Sequence, residues 1–171
     1  MWLITMLLLL LAQEGKCPRD VAAFLSMRNG DVSYNCVVKY IDDSRTHSML
    51  YVYDALTDRE VLNFDPSYNY MLRAYALDVN ADGVPDLVSE WTHGNALQVT
   101  IHSLAPKPVL MFHKIYRFAI SFVTVPPELE TKIVVVSGEG VQGPYTSSTY
   151  IWSRASREFV VKETRNYPSR D

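Results

Sequence analysis

Cysteine is scarce in this chain of 171 residues: Cys17 and Cys36 are the only two, so at most one disulfide can form within it. Basic runs are missing as well. The formal net charge is −3 and the pI about 5.8, with the charges interspersed, which leaves no stretch able to neutralise a phosphate backbone and argues against nucleic acid as a partner. No Pro-, Gly- or Ser-rich linker divides the sequence, and its 48% apolar content is ample for one packed core. Long apolar runs are confined to the N-terminus, where Met1 to Ala12 is uncharged but too short to cross a bilayer. That segment lacks a basic start yet ends at the small residue Ala12 before Gln13-Glu14-Gly15, and it reads as a signal peptide over residues 1–15. Residues 16–171 then form a single exported β-rich domain, periplasmic or secreted, with no membrane span after cleavage. The charges at Glu14 and Lys16 argue against a lipoprotein at Cys17. In an exported chain the pair Cys17 and Cys36 reads as a disulfide closing a loop of about 20 residues, a contribution of roughly 3 kcal/mol. Two buried thiols are the alternative.

Several catalytic signatures are also wanting. Gly138-Glu-Gly140-Val-Gln-Gly143 imitates a dinucleotide-binding fingerprint, but Pro144-Tyr145 follows it and no helix start is available to hold a pyrophosphate. His93, His102 and His113 match no compact zinc spacing and read as surface or edge histidines. Ser137 lacks the frame of a nucleophile elbow. No catalytic residue is assigned.

What the chain does have is β-sheet punctuation. Runs rich in Val, Ile, Tyr and Thr are broken every eight to twelve residues by Asp, Asn, Gly or Pro. They predict strands over 32–41, 48–53, 60–64, 71–77, 86–91, 96–103, 109–113, 116–123, 132–137, 148–153 and 158–163. One short N-terminal helix is expected before them, opened by Pro18, with Val21, Phe24 and Leu25 on one face and Asn29-Gly30 as its stop. The stretches beginning at Tyr51, Val99 and Tyr150 each combine an alternating strand, a polar turn and a returning strand. Their spacing of about 50 residues is that of a propeller blade.

The strongest chemical signal is Asp78-Val-Asn80-Ala-Asp82-Gly83-Val84-Pro-Asp86-Leu87. Side-chain oxygens at positions one, three, five and nine, with the Val84 carbonyl at seven, can wrap one hard cation, and Gly83 allows the tight turn. Without a cation, three carboxylates this close repel one another. An EF-hand needs a bidentate Glu at position twelve, where Ser89 stands. Residues 86–91 read as a strand, whereas 70–77 fits either strand or helix, and a helix there would favour a dockerin-like loop.

These residues resemble the FG-GAP and VCBS-type repeats of integrin-like β-propellers, whose calcium loops run Asp-x-Asn/Asp-x-Asp-Gly-x-x-Asp-Leu between two strands. The resemblance covers about residues 76–88 and implies Asp78, Asn80, Asp82, the Val84 carbonyl and Asp86 as ligands of a structural Ca2+. It implies a mainly β fold of antiparallel sheets resembling two or three propeller-like blades. The chain is too short for a closed propeller. Either it is a small standalone exported bacterial protein, or copies associate as a homo-oligomer. The function expected is a non-enzymatic, calcium-stabilised binding or surface module for a protein or carbohydrate at the cell exterior. The alternative is a secreted hydrolase with a structural calcium and acid residues elsewhere, among Asp42, Asp43 and Glu139.

Overall fold

The computed structural model describes residues 21–29, 32–67, 69–104, 107–124, 131–138 and 143–169. The expected signal segment and Cys17 lie outside them. Twelve strands are present: β1 (Val21–Asn29), β2 (Val32–Tyr40), β3 (Ser48–Asp54), β4 (Glu60–Phe64), β5 (Met71–Leu77), β6 (Asp86–His93), β7 (Ala96–Ser103), β8 (Val109–Tyr116), β9 (Ala119–Thr124), β10 (Thr131–Gly138), β11 (Tyr145–Ser153) and β12 (Glu158–Tyr167). Eleven correspond to the strands read from the sequence, and residues 71–77 are a strand. The described residues contain no helix, so none is long and apolar enough to cross a membrane.

The expected N-terminal helix is therefore corrected. Residues 21–29 are β1, paired antiparallel with β2 from Val21↔Lys39 to Asn29↔Val32, so that only Gly30 and Asp31 separate the two strands. The neighbouring strand satisfies the backbone groups that a short isolated helix would leave to itself.

The strands form three open four-stranded antiparallel sheets, each a meander in chain order: β1–β4 (sheet I), β5–β8 (sheet II) and β9–β12 (sheet III). The three repeated stretches seen in the sequence are the β3–β4, β7–β8 and β11–β12 hairpins, the same position in each sheet. Sheet II is the middle layer. Leu87 and Trp91 on one face join Tyr34, Cys36, Val38, Leu50 and Val52 of sheet I in one core. Val88, Val99 and Ile101 on the other join Ile133, Val135 and Tyr150 of sheet III in a second. Strands of the outer sheets alternate accordingly: every second residue of β2 from Tyr34 to Val38, and of β10 from Thr131 to Val135, is buried. Six consecutive residues of β6, from Asp86 to Trp91, are buried.

Burial on both faces forces the polar residues of sheet II to find partners. Ser89 and Thr100, fully buried, share a 2.7 Å hydrogen bond, and the Trp91 indole donates to Ser89 Oγ at 2.9 Å. Cys36 is buried and has no disulfide partner among the described residues; its Sγ lies 3.8 Å from Met27 Sδ, and as a thiol it is pushed up to about 12 by burial. Gly138 closes β10 where a Cβ would lie 2.6 Å from the Pro144 carbonyl oxygen, so its role is steric. Tyr145–Ser153 is a strand, so no helix stands there to hold a pyrophosphate, and residues 139–142 lie outside the described residues.

His102 was expected at the surface or an edge and is instead buried against Phe64, with ring centroids 5.5 Å apart and no partner for Nδ1. Burial, then the charge of His113, pulls it down to about 4. Its folded pKa lies below its unfolded value near 6.5, so the unfolded chain takes up this proton first as pH falls. The stability it supports is whole above about pH 6.5 and fades towards pH 4, by roughly 3 kcal/mol in all. Asp86, raised to about 7, pulls the other way over the same range. The expected result is therefore a difference: urea melts at pH 7 and pH 4.5 should show His102→Gln losing less stability on acidification than wild type. Equal losses would assign the acid sensitivity elsewhere.

Candidate functional site

Residues 78–85 connect β5 to β6, so the loop hangs between paired strands, with Leu77↔Asp86 as the closing pair of the ladder. Strands on both sides set the loop apart from EF-hand and dockerin-like geometry, in which helices flank it. Two residues take left-handed backbone, Ala81 at φ 56° and Gly83 at φ 84°. A Cβ on Gly83 would meet nothing within 4 Å, so the dihedral angle and not space asks for glycine there.

The side-chain oxygens of the loop fold inwards onto its own amides. Asp78 accepts from the Asp82 and Gly83 amides at 3.2 and 2.9 Å. Asn80 Oδ1 accepts from the Asp82 amide at 3.1 Å, while its Nδ2 donates to Asp82 Oδ2 at 2.8 Å. The Val84 amide donates to Asp82 Oδ1 at 2.9 Å. Asp86 is fully buried at the start of β6, where its Oδ2 accepts from the Val79 amide at 3.2 Å. Among the described residues its Oδ1 has no hydrogen-bond partner, and the bonds the carboxylate does receive, from the Val79 amide and the Ser103 side chain, favour its charged form. Burial first, then the carboxylates of Asp82 and Asp78, raise Asp86 to about 7. Sheet III touches the loop through the Thr131 hydroxyl, 3.3 Å from the Asp78 carbonyl.

All five residues singled out in the sequence thus sit in one turn. Among the described residues, however, no three acidic, histidine or cysteine side chains are drawn together as a metal cluster. The side-chain oxygens of Asp78, Asn80 and Asp82 accept from loop amides instead, and the Asp86 Oδ1 is left unpaired among the described residues. An amide-filled loop with one unpaired buried carboxylate oxygen fits a hard cation: oxygen donors are present in the needed number, and a positive charge is what the group lacks.

Of the acid residues considered for hydrolysis, Asp42 and Asp43 fall among the described residues, in the turn after β2. Asp42 accepts from the Ser44 and Thr46 hydroxyls at 2.5 and 2.6 Å and from the Thr46 and His47 amides. These bonds hold it well below the usual carboxylate range, as a turn-forming anion. Asp43 is its exposed-loop neighbour, and Glu139 lies outside the described residues.

Two arrangements were not foreseen from the sequence. Glu90, buried between sheets II and III, receives the Tyr75 and Tyr116 hydroxyls, each at 3.1 Å, and Arg73 Nη2 at 2.8 Å. Burial and the Glu90 charge together push both tyrosines far above their ordinary range. Beside the 78–86 loop lies a cavity of about 790 Å3, lined by Asn80, Asp82, Lys107, Met111, Trp152 and Arg154 among others. Neither could be read from local spacing, because each gathers residues from distant strands.

No protein-family model, no curated protein and no solved structure matches this chain.

Proposed function

We propose that this chain is a non-enzymatic, calcium-stabilised β-module of the cell exterior that binds another macromolecule. The observation that carries the reading is the orphaned, fully buried Asp86 oxygen in a loop that also holds Asp78, Asn80 and Asp82. Calcium bound by Asp78, Asn80, Asp82, the Val84 carbonyl and Asp86 would relieve that unpaired charge and the repulsion among the carboxylates. All these groups come from one turn between two strands. A catalytic ion would draw ligands from separate strands and leave a position open for substrate, so the local set favours a structural ion. The repeated four-stranded meanders, about 50 residues apart, support a likeness to propeller blades of the FG-GAP and VCBS type.

Amide exchange with and without calcium tests the structural role. Protection is expected to rise most over residues 74–88, where the ion would fix the β5–β6 register. Unchanged exchange there, with a hydrolytic activity that vanishes on chelation, would replace this reading by the secreted-hydrolase alternative.

Export of the chain also supports a Cys17–Cys36 disulfide, which would tie the segment before β1 to the buried side of β2. Alkylation without reduction followed by intact-mass measurement is expected to leave both cysteines of the exported protein unmodified. Two alkylated thiols would show the pair to be free.

A further inference from the structure

We propose that the cavity between the 78–86 loop and the β11–β12 turn binds an acidic saccharide. Its lining draws Asn80, Ala81 and Asp82 from the loop, Val109 and Met111 from β8 and Trp152, Arg154 and Arg157 from the β11–β12 hairpin, together with Lys107. Three cations therefore stand around a single carboxylate. Both oxygens of that carboxylate, Asp82, are engaged by loop donors. Among the described residues the ion pairs are His47–Asp65, Arg73–Glu90 and Arg165–Glu163, so Lys107, Arg154 and Arg157 have no carboxylate of their own. Such a cluster runs against the chain's net charge of −3. Unpaired cations around one concavity, in an otherwise acidic protein, point to an anionic ligand.

The apolar part of the lining narrows the class. Trp152 is held by Phe159 at 5.2 Å between ring centroids, with the planes inclined at 62°, so the indole is fixed in orientation while half-exposed. Together with Met111 and Val109 it gives the cavity an apolar wall to set against the cations. A bare phosphate or sulfate would use the cations and leave this wall wet. A purely apolar ligand would strip water from three charges without replacing it. A sugar bearing carboxylates meets both demands: its C–H face lies on the indole, and its carboxylates take the guanidinium forks of Arg154 and Arg157. An acidic peptide brings its carboxylates on flexible stems whose ordering weakens binding. The volume of about 790 Å3 suits a di- or trisaccharide and falls in the usual range for small-ligand sites, roughly 300–1,000 Å3.

The inference rests on the reading of the chain as a binding module and not on the cation, since the three basic residues stand outside the metal loop. The test titrates the full chain with trigalacturonate, maltotriose and penta-aspartate, in calcium and in chelator, by calorimetry and tryptophan fluorescence. Trigalacturonate is expected to bind and to change the emission, with maltotriose at least about tenfold weaker. Arg154→Gln combined with Arg157→Gln should lower trigalacturonate affinity about tenfold or more, at an unchanged melting temperature, because both side chains are exposed in a turn. Trp152→Phe should retain binding and lose the emission change, since Trp91 is fully buried elsewhere and Trp2 belongs to the expected signal segment. Equal binding of maltotriose, tighter binding of penta-aspartate, undiminished binding by the double variant, or no binding at all would each overturn the proposal. A calcium heat that persists in the arginine variant separates failure of this site from failure of the metal loop.

Discussion

Replacing Glu90 with alanine is expected to lower stability by about 3 kcal/mol, the largest single effect anticipated for a polar residue here. Glu90 is 3% exposed and is the common acceptor for Tyr75 and Arg73 of β5, the strand paired with its own, and for Tyr116 of β8, two strands away. Truncation leaves the Tyr116 hydroxyl, itself almost fully buried, without an acceptor and opens a void between sheets II and III. Arg73 suffers less, because its side chain is 61% exposed and water can take the place of the carboxylate. For a domain of this size the melting temperature should fall by roughly 6–12 °C. Glu90→Gln keeps the volume and one acceptor oxygen and should cost less than half as much. A Glu90→Ala protein that melts within a degree or two of wild type would show that this network contributes little.

Saturating calcium is expected to raise stability by a similar amount. A ligand bound only by the folded state contributes about 2.7 kcal/mol at a hundred times its dissociation constant, or roughly 5–11 °C in melting temperature. Chelator should reverse the rise. The informative variant is Asp82→Ala. Asp86 is buried and bonded to the Val79 amide, so its loss would damage the fold with or without an ion. Asp82 is exposed, and its partners are the Asn80 amide group and the Val84 amide, both of which water can satisfy. The variant should therefore resemble chelated wild type and respond to neither calcium nor chelator.

The legibility of this fold depended on how local each signal is. Strand positions were readable because alternation and turn residues act over a few residues; β4, β5 and β7 have the bounds expected of them. The β1 segment failed for the same reason. Val21, Phe24 and Leu25 fit a helical spacing in a short window, and Asn29-Gly30 ends a helix as readily as it turns a hairpin. Pairing with β2 decided the matter, and pairing is not a local property. The 78–86 turn was visible because its oxygen-bearing residues lie within nine positions of one another. The Glu90 network was not, since Tyr116 lies on β8, two strands away from β6 in the sheet. His102 misled for a related reason: one histidine in an alternating strand looks half-exposed until a second sheet covers its outer face. The cavity required Lys107, Trp152 and Asp82 to meet across the boundary of sheets II and III.

Calcium titration calorimetry on wild type and Asp82→Ala addresses the loop most directly. The account predicts one site per wild-type chain and no measurable heat of binding for the variant, with both proteins folded at the working temperature. Absence of binding to wild type, or equal binding by Asp82→Ala, would contradict it.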